Sequence, residues 1–228
     1  MRNYVTEFIG TFFLVLTIGL TVLSGTEFAP LAIGASLMVM VYMGGHVSGG
    51  HYNPAVSLAV LLRGKMASVG EFAMYVVSQC LGAVAAALTV YVIVGRTFAP
   101  APAATASTAG VVAVELLYTF ALALVVLNSA VAVKTLGNSF YGLAIGFTVV
   151  VGAFAGGPIS GGAFNPAVGV GPIIVDTLMG NGGMANLWIY LVAPLAGGAL
   201  AAAVFGMQEQ EPISLHAKAT QTPERTTA

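Results

Sequence analysis

An all-α membrane protein built from two inverted halves is predicted by three features of this sequence. The 228 residues are 58% hydrophobic and only 7% charged, with a mean hydropathy of +0.95; soluble domains carry about 25% charged residues. Long apolar runs recur at a length that spans a bilayer, for which about 20 residues are needed. A ten-residue segment also occurs twice, 112 residues apart. The reading is six transmembrane helices plus two re-entrant half-helices.

The full spans are expected at roughly 4–24, 29–47, 69–95, 110–132, 138–156 and 184–206. Arg2 ahead of an apolar run invites reading the first as a cleaved signal. Glu7 interrupts that run and no A-x-A site follows, so it is read as a retained span. Two further apolar segments, roughly 53–62 and 165–176, are too short to cross and read as half-helices. Thr97–Thr108, rich in Ala, Pro, Ser and Thr, reads as an extended loop. The chain divides into a channel unit over 1–207, with repeats at about 4–95 and 110–206, and a polar tail over 208–228 read as disordered. Cys80, the single cysteine, lies in an apolar run and reads as a small buried hydrophobe.

Cationic residues set the orientation. With the N-terminus in the cytoplasm, Arg2, Arg63, Lys65, Lys134, Lys218 and Arg225 fall inside and Arg96 alone outside, so both termini are placed there. The expected location is the cell membrane. A net charge of −1 argues against a nucleic-acid partner. No metal-ligand cluster, nucleophile–base pair or phosphate loop stands out, so neither an enzyme nor a cofactor or metal is expected.

The repeat pairs Val47-Ser48-Gly49-Gly50-His51-Tyr52-Asn53-Pro54-Ala55-Val56 with Ile159-Ser160-Gly161-Gly162-Ala163-Phe164-Asn165-Pro166-Ala167-Val168. Leu31-Ala32-Ile33-Gly34 returns as Leu143-Ala144-Ile145-Gly146 at the same offset, and Glu7-x-x-x-Thr11-Phe12 as Glu115-x-x-x-Thr119-Phe120. Three spans and a half-span per copy make an odd number of crossings. The second copy is therefore inverted, and the two Asn-Pro segments enter from opposite faces.

Non-helical backbone at membrane depth survives only inside protein or beside a wet cavity. Gly49-Gly50 and Gly161-Gly162 allow the chain to bend. Asn53 and Asn165 stand where N-caps belong, with Pro54 and Pro166 at the first helical positions and Ala55 and Ala167 next. Two half-helices then aim their positive ends at one spot. The asparagine amides can donate to a passing oxygen, while loop carbonyls from Gly49 to Tyr52 and from Gly161 to Phe164 can accept. Such a passage suits a small neutral molecule and opposes cations.

These boxes resemble those of the aquaporin and glycerol-facilitator family, and the similarity runs from residue 4 to about 206. Thr6-Glu7-Phe8-Ile9-Gly10-Thr11-Phe12 resembles the family's first helix, Tyr75 to Gly82 its third, and Trp188 to Pro194 its sixth, with Gly171-Pro172 following the second box. The resemblance implies an aquaporin-like fold, a homotetramer in the lipid bilayer with one pore per subunit, and passage of water and small neutral solutes. It implies that Glu7 and Glu115 brace the loops, with a proton relay as the alternative. His46 is expected to brace the first loop, with pH gating as the alternative, and His51 to face the pore. Ala163 and Phe164 hold the matching loop positions in the second half.

Carried over from the family, the outer filter falls on Ile33, Ala153, Gly162 and Val168. The departure is Val168, where the family usually has Arg. A wide apolar mouth is expected, which puts strict water selectivity in doubt and opens the channel to ammonia, dissolved gases, urea or short polyols. From other classes, an ion-coupled secondary transporter would need a coupling site, and Glu7, Glu71 and Glu115 are the only acidic residues in the spans. An adhesive membrane protein would need a large outer surface, and the loops are short.

Overall fold

The computed structural model describes residues 1–180 and 182–209. These form eight α-helices and, among the described residues, no strand. In order they are α1 (Arg2–Ser24), α2 (Ala29–Ser48), α3 (Pro54–Leu62), α4 (Val69–Val94), α5 (Thr108–Val126), α6 (Tyr141–Ser160), α7 (Pro166–Met179) and α8 (Leu187–Glu209). A π-turn, Leu127–Val131, extends α5. Six of these helices are long and apolar enough to cross a membrane, counting α5 with its π-turn. At 1.5 Å per residue α3 reaches only ~13 Å and α7 ~21 Å, short of a hydrocarbon core of ~30 Å.

Helix ends follow local chemistry. Asn53, Ser68, Ser107 and Asn165 cap α3, α4, α5 and α7 through side-chain oxygens. Gly49 (φ 92°) and Gly161 (φ 87°) end α2 and α6 in the left-handed region that glycine reaches without strain. Boundaries of α6, α7 and α8 move from the sequence expectation, α7 ending at Met179 rather than at about 176. α6 runs over 141–160 rather than 138–156, because the helix continues through Gly156-Gly157-Pro158 to the glycine matching the one that ends α2. α8 begins at Leu187, after a turn closed by Leu187 N–H donating to the Met184 carbonyl (3.0 Å), and runs to Glu209, past the expected start of the tail at 208. The rest of that tail, with Lys218 and Arg225, lies outside the described residues.

Packing obeys the pseudo-two-fold axis. α1 packs on α4 as α5 packs on α8, α1 on α2 as α5 on α6, and α4 on α7 as α8 on α3. α2 and α6, related to each other by the repeat, cross directly. The repeated Leu-Ala-Ile-Gly explains the crossing. A Cβ on Gly34 would lie 2.5 Å from the Gly146 carbonyl oxygen, and one on Gly146 the same distance from that of Gly34. Only bare backbone lets the two helices approach this closely. The two half-helices meet inside this frame.

Candidate functional site

Each asparagine of the two boxes makes two bonds. Its Oδ1 accepts from the N–H two residues on, Ala55 at 2.8 Å and Ala167 at 2.9 Å, which fixes the cap. Its Nδ2 donates across the junction: Asn53 to the Phe164 carbonyl and Asn165 to the Tyr52 carbonyl, both at 2.9 Å. An amide nitrogen carries two hydrogens, so one per asparagine is left without a protein acceptor among the described residues. The positive ends of α3 and α7 converge on the same place.

Tyr52 (φ 49°) and Phe164 (φ 48°) sit in the left-handed region, the only non-glycine residues among those described that do. This conformation costs roughly 1–3 kcal/mol each. It turns each carbonyl toward the opposite asparagine, and the buried rings hold it there. Tyr52 is 0% exposed, packs on Gly10 and Gly44, and donates its hydroxyl to the Met40 carbonyl at 2.9 Å. Phe164, 2% exposed, packs on Tyr118 with ring centroids 5.4 Å apart. Sequence reasoning misses this strain. The available signal is an aromatic residue at the same register in both copies, two positions after Gly-Gly and directly before Asn-Pro.

The loops before the boxes hang from two buried carboxylates. Glu7 accepts from Ser48 Oγ (2.6 Å), His51 N (3.0 Å), Tyr52 N (2.6 Å) and Gln79 Nε2 (2.8 Å). Glu115 accepts from Ser160 Oγ (2.7 Å), Ala163 N (3.0 Å) and Phe164 N (2.7 Å). Hydrogen bonds to a charged group contribute ~1.5–3 kcal/mol each, enough to offset the aromatic strain. Ser48 and Ser160 also accept from Gly50 N (3.2 Å) and Gly162 N (3.1 Å). Tyr75 and Tyr190 donate to the Ser48 and Ser160 carbonyls at 2.7 and 2.6 Å. His46 takes no part: its side chain lies in the last turn of α2, and no hydrogen bond joins it to the loop among the described residues. The pinning serine stands two residues further on, where it faces Glu7.

With their N–H groups held back by the carboxylates, the loops turn carbonyls the other way. Those of Gly49, Gly50, His51, Gly161, Gly162 and Ala163 accept no protein hydrogen bond among the described residues. Three hollows follow the line of the boxes. One, of about 290 Å³, opens beside His51 and is bordered by Ser48, Lys65, Glu71 and Tyr75. A second, of about 350 Å³, brings together Ile33, Ala153, Gly162 and Val168 and has no polar side chain in its wall. Between it and Asn165 lies a neck of about 20 Å³ walled by Leu14, Ile18, Leu122, Val149 and Val168. Val168, 3% exposed, borders both. The loop after α4 roofs this mouth: Ala103 N–H donates to the Ile159 carbonyl at 3.0 Å, and Arg96 donates to the Leu23 carbonyl at 2.6 Å.

Comparison with known proteins agrees with this architecture. The family model described as major intrinsic protein matches residues 1–205. Aquaporin TIP2-3 of Arabidopsis thaliana is 37% identical over 180 residues, covering 77% of this chain and 69% of its own. A glycerol uptake facilitator protein-like 6 of Lactiplantibacillus plantarum is 34% identical over 217 residues, covering 89% and 95%. The X-ray structure of the aquaglyceroporin from Plasmodium falciparum superposes with a TM-score of 0.79 over 90% of this chain and 94% of that one. At 24% identity it speaks for the fold alone. With the family model matching from the first residue to within the last turns of α8, the chain belongs to the major intrinsic protein family.

Proposed function

We propose that the chain is a passive channel for water and small uncharged solutes, running from the His51 mouth past the paired asparagines to the Val168 mouth. The cross-bonded asparagine pair supports this reading most directly. Two helix N-termini and two free amide hydrogens face one point, with free carbonyls on either side. A neutral molecule that both donates and accepts is served there, while a cation meets two positive dipole ends. Ile33, Ala153, Gly162 and Val168 are the proposed filter, with His51 and the loop carbonyls as pore wall and Glu7 and Glu115 as braces. The His51 mouth faces the cytoplasm by the cationic bias, and the subunits form a homotetramer as in the family; native mass spectrometry of detergent-extracted protein checks the latter.

A second reading concerns rank among solutes. The neck of about 20 Å³ holds about one water, yet Asn165 is its only polar side chain among the described residues. A permeant there gives up most of its hydrogen bonds, which favours ammonia and dissolved gases over urea and polyols. Stopped-flow shrinkage of liposomes with a panel of solutes tests both readings. Facilitated water flux supports the first; fast ammonia flux with little water flux supports the second. No facilitated flux of any neutral solute refutes both.

A further inference from the structure

The two halves of the channel are not chemically equal, and the inequality is concentrated at three positions. His51, Ser57 and Gln79 correspond through the repeat to Ala163, Gly169 and Pro194. In the first half the three side chains form one buried chain. His51 Nδ1 lies 3.0 Å from Ser57 Oγ, Gln79 Nε2 donates to Ser57 Oγ at 3.0 Å, and the same Nε2 donates to Glu7 at 2.8 Å. In the second half Glu115 braces its loop with no counterpart to any of them. Bracing alone therefore does not require the chain His51–Ser57–Gln79.

The hydrogens along this chain can be assigned from its fixed end. Glu7 is a carboxylate that accepts, so the Gln79 amide must turn its nitrogen toward it. Flipping the amide would set two oxygens against each other. The structure bears the consequence, since Gln79 Oε1 is buried without a partner among the described residues. Both Nε2 hydrogens are then spent, one on Glu7 and one on Ser57 Oγ. The Ser57 hydroxyl has one acceptor within reach among the described residues, His51 Nδ1. His51 Nδ1 is therefore unprotonated, and the ring hydrogen is on Nε2. That nitrogen lies beside Gly49, where a Cβ would come within 2.9 Å of it, at the edge of the 290 Å³ hollow.

We propose that Ser57 and Gln79 are positioning residues that lock His51 as the neutral Nε2–H tautomer, so that the ring presents one fixed donor to solutes in the His51 mouth. Protonating the ring would need a hydrogen on Nδ1, where the Ser57 hydrogen already points. The groups facing the ring are Glu7 behind its backbone, Glu71 and Lys65 across the hollow, and Tyr75, whose ring centroid is 5.2 Å away. The inference rests on the channel reading, but its main test does not.

The test uses ¹⁵N-histidine-labelled protein in liposomes, with the His51 signal assigned by its loss in His51→Asn. Solid-state NMR should show a neutral ring protonated at Nε2 between about pH 5.5 and 8, the window in which a free imidazole changes charge, and water permeability should be flat across it. Ser57→Ala should release the ring, giving mixed tautomers and an imidazolium at the acid end. Permeability should then show a step across the pH at which half the rings are charged. Gln79→Leu should do the same, and Ser57→Thr should restore both the tautomer and the flat profile. A wild-type ring that titrates in this window or is protonated at Nδ1 overturns the proposal. So does a Ser57→Ala ring that stays neutral and Nε2-protonated, or one that is released without any change in the permeability profile. Absence of flux in the folded wild type would refute the channel reading instead, while the NMR spectra still decide the tautomer.

Discussion

Asn165→Asp separates the two bonds of the central asparagine. The carboxylate keeps an oxygen for Ala167 N–H, and a negative charge at a helix N-terminus adds ~0.3–1 kcal/mol. It cannot donate to the Tyr52 carbonyl, which is left buried and facing an oxygen, a loss of ~1–3 kcal/mol. With the carboxylate hydrated from the lumen side, the net destabilisation is therefore about 0–3 kcal/mol. Asn165→Ala loses the cross-bond and the cap together, and the cap alone is worth ~0.5–2 kcal/mol, so its total is about 1.5–5 kcal/mol. At about 2–4 °C per kcal/mol for a chain of this size, thermal unfolding in detergent should rank wild type above Asn165→Asp above Asn165→Ala. Cation exclusion should order the two variants the other way. A cation about 5 Å from the new carboxylate at an effective dielectric of 20 gains roughly 3 kcal/mol, a factor on the order of 10². Potassium and proton leak in liposomes should therefore rise in Asn165→Asp and not in Asn165→Ala. If Asn165→Asp is the less stable of the two, or leaks no more than wild type, the asparagine does not both cap α7 and face the lumen.

Val168→Arg should lower urea flux more than water flux, because the longer side chain narrows the Val168 mouth while its guanidinium offers donors to water and repels cations; side-by-side stopped-flow with urea and water and a pH-jump assay with a trapped dye check it, and an unchanged ratio of urea to water flux would place Val168 away from the constriction. Tyr75→Phe and Tyr190→Phe each orphan one loop carbonyl, so each should lower stability by about 1–3 kcal/mol. The double variant should be close to additive, because the two hydroxyls serve opposite halves; calorimetry reads all three.

Much of this site is legible in the internal repeat. The half-helices, the facing asparagines and the symmetric carboxylates can all be read there, because each is written twice in matching order. What stays hidden has physical causes. Leu14, Ile18, Leu122 and Val149 line the neck, but an apolar side chain facing a narrow lumen has the same periodicity as one facing a neighbouring helix. His46 invites the role of brace because it is polar and close to the box, whereas the working donor is Ser48, whose short hydroxyl reaches Glu7 at 2.6 Å. The end of α6 is easily misplaced at a Gly-Gly-Pro that looks like a breaker. The matching helix α2, ending at Gly49, holds the correct answer 112 residues earlier.

An inverted repeat is its own control, since features kept in both halves are what each loop requires, and features found in one half are not needed to brace it. The carboxylate, the serine, the helix-end tyrosine and the asparagine are kept. The His51–Ser57–Gln79 chain is not, and a transplant tests what it does. Ala163→His would place an imidazole at the matching point of the second loop without its partners. Gly169 offers no hydroxyl, and a Cβ there would come within 2.6 Å of Tyr190 Cβ, so serine cannot be added without moving α8. Pro194 has no donor to replace Gln79. The ring would therefore stand unlocked near the Val168 mouth and change charge in the ordinary imidazole range. Water and ammonia flux in Ala163→His should acquire a pH step that wild type lacks, and cation exclusion should strengthen on the acid side of it. A pH-independent Ala163→His channel, with the protein folded and conducting, would mean that a histidine in these loops needs no lock to stay neutral.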